Sequence, residues 1–383
     1  MHNSSINWKS ALRCGIAASL GLAFALHAYA QQDIVVGHVA GFTGPVKKDA
    51  SEMNLGATVA FAAVNSAGGF NGRKFRIIQA DDHYKPDETV TEIKAMADKV
   101  VALLPATGSA NMDKVLKSGV LDNVTLPLVG TIPSPESIRT PLHRNVFHFR
   151  AGDRDQLERM VEQLTTVGMT KIGVLASKNT ASAERVAIIE QALQRRNLKL
   201  AANGLFTVTA KTDFSPAISE LNGKGIQAVI LIGPPSPIAD LVKEVRGQGI
   251  SAQLLSISYA DAALVTQVAG LELARGFIIA QVLPNLSNNT KGLITSFRED
   301  FKKYANAKEA PTHFNLEGYI SAKLIVEAIR RSKDATPEGV RKGLEMLQKY
   351  DMGGYTVDFS AAQHTGSRFV DLAVISRDGR LMY

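Results

Sequence analysis

Residues 103–115, LLPATGSANMDKV, and 126–138, LPLVGTIPSPESI, share one pattern: an apolar run stops, a small hydroxyl-bearing loop follows, and a helix signal begins at once. The chemistry open to such loops is electrostatic. Thr107, Gly108 and Ser109 stand where a strand gives way to a helix. A helix start leaves up to four N–H groups unpaired and carries about half a positive charge. Gly108 permits close approach to the backbone and the two hydroxyls add donors, which together make a cradle for an anion. Ser109 is expected to cap its own helix as well. Gly130, Thr131 and Ile132 repeat the arrangement, with Ser134-Pro135-Glu136 opening the next helix. Two neighbouring strand ends of this kind could hold a carboxylate from two sides.

Reactive groups elsewhere are dispersed. His38, His83, His143, His148, His313 and His364 form no H-E-x-x-H motif, and no G-x-S-x-G or strand-borne G-x-G-x-x-G occurs. His143 and His148, five apart on an expected strand, point to opposite faces. Asp81-Asp82 ends a strand and reads better as a cap for the following helix than as a metal site. No nucleophile, base, metal set or cofactor grip emerges, so the sequence argues against an enzyme and against any cofactor.

The first thirty residues are a separate matter. Lys9 and Arg13 precede the uncharged run CGIAASLGLAFALHA, which ends in Ala28-Tyr29-Ala30. A basic start, a short apolar run and an A-x-A exit describe a secretory signal peptide cut after Ala30. At roughly 15 residues the run is short for a bilayer, which needs about 20. Cys14, the single cysteine, lies inside it. The remainder therefore has no thiol for disulfides, zinc or nucleophilic attack. Losing Lys9 and Arg13 lowers the net charge from +7 to +5. Lys and Arg are interspersed with acids in no basic run, so nucleic acid is an unlikely partner and a mild bias toward anionic ligands remains.

A chain of 383 residues, 45% of them apolar, can build two domains with substantial cores. Strand and helix signals alternate from residue 33. DIVVGHVAG, KFRIIQADD, VALLPAT and TLPLVGT are strands separated by helical segments, among them NLGATVAFAAVNSAGG and KPDETVTEIKAMADKVV. A second series follows from residue 150. In RDQLERMVEQLTTVG, the positions Leu157, Met160, Val161 and Leu164 fall on one helical face. Strands KIGVLAS, LAANGLFTV, AVILIGP and QLLSIS then alternate with helices. Apolar strands between amphipathic helices mean parallel sheets covered on both faces. The expected fold is α/β, with two Rossmann-like lobes of parallel sheet flanked by helices and joined by a three-strand hinge. Residues 31–149 plus 280–352 would form the first lobe and 150–279 plus 353–383 the second. Ligands of open α/β sheets bind beyond the carboxyl edge of the strands, which is where both hydroxyl-rich loops fall.

Several blocks, taken together and in order, resemble a known family: GFTGPV, AVNSAGGFNGRKFRIIQADD, GTIPSPESIRTP, NVFHFRA, HFNLEGYISAKLIVEAIRRS and YDMGGYTVDFSAAQHTGSRFVDLAVISRDGRL. The family is the periplasmic solute-binding proteins of ABC importers, in the Leu/Ile/Val-binding branch with the type I periplasmic binding fold. The resemblance implies that Thr107-Gly108-Ser109 and Thr131-Ile132-Pro133 hold a ligand carboxylate, and that Phe42 lines the pocket. It also marks departures in the second lobe. Thr180-Ala181 stand where amino-acid binders tend to have a Tyr-Gly pair, and Asn179 and Thr180 are expected to contact the ligand on closure. Ser258-Tyr259 replace the acidic residue that holds the ligand ammonium. Either Asp261 or Asp153 then supplies that charge, or the ligand is a carboxylate without an ammonium, such as an aromatic or short organic acid. Gln281, on a crossover strand, is a further contact expected on closure. The implied protein is a monomeric periplasmic receptor that delivers a small carboxylate-bearing solute to a membrane permease. A sensor of the same fold acting on a signalling partner is the alternative.

Overall fold

The computed structural model describes residues 32–306, 308 and 310–383; the expected signal peptide and Cys14 lie outside them. In chain order the longer elements are β1 (Ile34–Ala40), α1 (Lys47–Ser66), β2 (Phe75–Asp81), α2 (Pro86–Met96), α3 (Ser109–Ser118), β3 (Leu128–Val129) and β4 (Val146–Phe147). There follow α4 (Asp153–Thr166), β5 (Ile172–Ser177), α5 (Thr180–Gln194), β6 (Ala202–Phe206), β7 (Ala228–Ile232), α6 (Pro235–Gly247), β8 (Gln253–Ser256), α7 (Ala262–Ala269) and β9 (Ile278–Gln281). The chain closes with α8 (Gly292–Tyr304), α9 (His313–Ser332), α10 (Pro337–Glu345) and the short strands β10 (Tyr350–Asp351), β11 (Thr356–Val357), β12 (Asp371–Ile375) and β13 (Leu381–Met382).

Two parallel arrays carry the fold. In the first, β1 pairs with β2 and β3 with β4, and residues 101–106 run between the two pairs. The expected strand there is reduced to bridges at Leu103 and Ala106. Pro105 and Pro127 supply no N–H, so the ladder is interrupted although Leu104 N–H still reaches the Gly37 carbonyl. The second array is one sheet in the order β13-β12-β9-β8-β7-β5-β6. Its central strands β5 and β7 are buried at every residue, as two covered faces require, whereas β6 at the edge alternates buried and exposed. β12 runs antiparallel to β9, and β12 and β13 form the expected closing hairpin.

Packing divides accordingly. One core joins β1, α1, Phe147 and Phe149 to Leu283, α8, α9, α10, Tyr355, Val357 and Phe359; the second is the pair of apolar layers on the two faces of the seven-stranded sheet. Residues 355–359 thus pack with the first core rather than with the second, to which the sequence reading gave them, and the chain rejoins the second sheet only at Asp371. It passes between the cores three times, near 150, near 282 and between 360 and 370. At the centre of the first core, α1 and α9 meet backbone to backbone. A Cβ on Gly56 would lie 1.8 Å from the Asn315 carbonyl oxygen, and one on Gly318 1.8 Å from that of Met53. Among the described residues no helix is long and apolar enough to cross a membrane.

Candidate functional site

The carboxyl ends of strands from both arrays open onto one cleft of about 610 Å³. On the first side stands the N-terminus of α3. Gly108 is its N-cap, with φ of +79°, and no side chain caps it. The expected cap by Ser109 is absent, because Ser109 is already the first helical residue. Gly108 and Ser109, at this uncapped helix start, line the cleft. Thr107, just before them, is 4% exposed, and its hydroxyl has no protein partner. A buried hydroxyl in that state costs free energy unless something in the cleft accepts or donates to it. Beneath the helix start, Asn111 donates to Thr89 Oγ1 (2.7 Å) and Thr89 donates to Asp82 Oδ2 (2.7 Å), which braces the loop. Asp82 serves this brace and the turn at Tyr84. Among the described residues no group of three or more His, Cys, Asp or Glu could hold a metal.

The second loop behaves differently. Only a single 3-10 turn, Glu136–Ile138, follows it. Thr131 is fully buried, with its hydroxyl 3.1 Å from the Pro133 carbonyl and 2.7 Å from His148 Nδ1. Gly130, at φ of +105°, is packed so that a Cβ would meet Phe149 at 2.5 Å. The Ser134 N–H is already used, donating at 2.5 Å to the Tyr259 hydroxyl, which reaches across from the end of β8. Thr131 and Gly130 therefore shape the loop from outside the cleft, while Ile132 and Pro133 line it.

Thr107, Gly108, Ser109, Ile132, Pro133, Asn179, Ser258, Tyr259, Asp261 and Gln281 are brought together on the cleft wall. Phe42, Gly130, Thr131, Asp153 and Thr180 are not. Phe42 packs edge-on against His38, 5.1 Å between centroids. Thr180 is the exposed first residue of α5, whose cap is Asn179 accepting from Ser182 N–H at 2.9 Å. Asp153 is buried and held by Arg185 Nε at 2.6 Å. Asp261 accepts the Ala263 and Leu264 N–H groups at the start of α7.

Charged residues that sequence reasoning passed over complete the cleft. Arg150, on the first crossover, pairs with Glu317 at 2.6 Å and donates to Ser258 Oγ at 2.7 Å. Its Nε and the second oxygen of Glu317 have no protein partner. Burial pushes the Glu317 carboxyl up to about 6 despite the facing guanidinium. Asp49 on α1 is likewise pushed up to about 6, first by burial and then by the carboxylates of Glu52 and Asp261. The guanidinium of Arg185 lies 5.3 Å from the Tyr259 ring centroid, a cation–π contact. A signal for Glu317 was present: an acid within the apolar face of NLEGYISAKLIV must find a buried partner. Nothing local in NVFHFRA named Arg150 as that partner.

The geometry suits noncovalent capture of a small solute. Comparison with known proteins agrees in kind. The family model described as "Periplasmic binding protein" matches residues 33–380. A substrate-binding periplasmic protein from Ralstonia solanacearum superposes with a TM-score of 0.81 at 32% identity, over 91% of this chain and 99% of that one. An extracellular ligand-binding receptor from Verminephrobacter eiseniae gives 0.83 at 30% identity, over 92% and 100%. Leu/Ile/Val-binding protein homolog 3 of Brucella melitensis is 26% identical over 351 residues, 90% of this chain and 87% of the relative.

Proposed function

The chain belongs to the periplasmic binding protein family, and on that premise we propose that it captures a small carboxylate-bearing solute in the periplasm and delivers it to an ABC permease. Its relatives are binding proteins, not enzymes. The observation that carries the ligand chemistry is the uncapped α3 N-terminus beside the partnerless Thr107 hydroxyl, both on the cleft wall. Amide donors at a helix start, with a buried hydroxyl next to them, suit the negative end of a solute. The strand ends across the cleft would close on its other end, and closure is favoured only by the extra contacts it makes.

In this reading the two cores are the two lobes, with the hinge at the three crossings and the last return between 360 and 370. Residues 1–30 direct secretion and are removed. The ligand is an amino acid or an aromatic or other organic acid. Asp153 is neutralised by Arg185, so among the acids expected to meet an ammonium Asp261 is left. A thermal-shift screen over L-amino acids, aromatic carboxylates and dicarboxylates tests the proposal. A ligand at 100 times its Kd should add about 2.7 kcal/mol of stability. A screen in which only solutes without a carboxylate raise Tm overturns it.

A further inference from the structure

The loop at 130–133 was expected to meet a ligand, yet the second core takes two amide donors of the turn that leads on from it, those of Ser134 and Glu136. The Tyr259 hydroxyl accepts from Ser134 N–H at 2.5 Å and donates to the Ile132 carbonyl at 3.3 Å. Glu184, on α5, accepts from Glu136 N–H at 2.6 Å. Tyr259 is itself held in place: its ring lies against the Arg185 guanidinium, and Arg185 is tied to Asp153. A phenol that donates its one proton has no donor left for a ligand, and a carboxylate on an amide N–H makes a strong charge-assisted bond.

We infer that Tyr259 and Glu184 are positioning residues that clasp the 132–136 turn from across the cleft and tie the two cores together. Each side chain supplies the acceptor that a solute's anionic group would otherwise bring to this turn. Of the two strand-end loops, the one at the start of α3 is thereby the one left to grip a solute's negative end. A protein so clasped spends more of its time closed, which changes the fraction competent to admit a ligand.

Hydrogen exchange and small-angle scattering on the ligand-free protein test the inference without knowledge of the ligand, so its outcome is separate from that of the carboxylate screen. Tyr259→Phe and Glu184→Ala should each speed amide exchange in the 132–138 peptide by roughly tenfold, with the rest of the sheet unchanged, and enlarge the radius of gyration. Glu184→Gln keeps an acceptor oxygen but loses the charge, and should fall between the wild type and Glu184→Ala. Unchanged exchange in the double variant overturns the inference. So does faster exchange with an unchanged radius of gyration, or Glu184→Gln behaving as Glu184→Ala.

Discussion

Arg150 and Glu317 meet at 2.6 Å with side chains only 3% and 5% exposed, the first on a crossover and the second on α9. Each compensates a charge that the interior would not otherwise hold. Glu317→Ala leaves the guanidinium buried against Ser258 alone, and breaking such a pair costs about 3–5 kcal/mol. Urea unfolding at pH 7 should show that loss, with Glu317→Gln losing less because it keeps an acceptor. A loss below about 1 kcal/mol would mean that solvent reaches Arg150.

Thr107 and Thr131 look equivalent in sequence and are opposites in space. Thr107→Val removes a hydroxyl with no protein partner, so stability should stay within about 0.5 kcal/mol. Affinity for the carboxylate found by the screen should fall roughly 5- to 30-fold, read by calorimetry. Thr131→Val removes the bonds to His148 and the Pro133 carbonyl, and should cost about 1–3 kcal/mol in unfolding. Equal ligand affinity in the wild type and Thr107→Val would remove Thr107 from the site.

The contact of α1 with α9 permits no side chain at its centre. Gly318→Ala puts a methyl against the Met53 carbonyl, where only backbone can give way. Overpacking of this kind costs about 1–3 kcal/mol or more. The variant should unfold about 2–5 °C lower by calorimetry, whereas Gly247→Ala, with open space around it, should not.

Asp49 and His38 tilt the pH dependence in opposite directions. Asp49 has a folded value of about 6 against 3.8 unfolded, so its favourable contribution is complete below about pH 3.8 and is lost as pH rises through 6. Asp49→Asn should therefore stabilise the protein at pH 8, by about 1 kcal/mol after solvent screening of its partly exposed carboxyl. The gain should vanish near pH 4. His38, fully buried, is lowered to about 4 by desolvation. Its contribution is complete above about pH 6.5 and is lost as pH falls through 4. Urea midpoints from pH 4 to 8 separate the two, and a stabilisation by Asp49→Asn that persists at pH 4 would contradict the assignment.

Periodicity carried most of the architecture into view. Strands such as β5 and β7 are apolar at nearly every position because both faces are covered, and that pattern survives without any knowledge of neighbours. The α3 loop was legible for the same reason: strand, glycine, hydroxyl and helix are consecutive. The places of Thr131 and of the Ser134 amide were not legible because their partners are remote. His148 is 17 residues from Thr131 and Tyr259 is 125 from Ser134, and no local pattern states that a hydroxyl or an amide is already taken. Arg150 and Glu317, 167 residues apart, are hidden for the same reason.

The three passages between the cores also fix an order of assembly. Phe61, Phe75 and Phe147 share a core with Phe297, Tyr319 and Phe359, so the half that is synthesised first cannot finish packing until nearly the whole polypeptide has emerged. Strands β5 to β8, contiguous from 172 to 256, face no such wait. The later-born sheet is thus the one equipped to form early, and the first must remain unfinished until its C-terminal helices arrive.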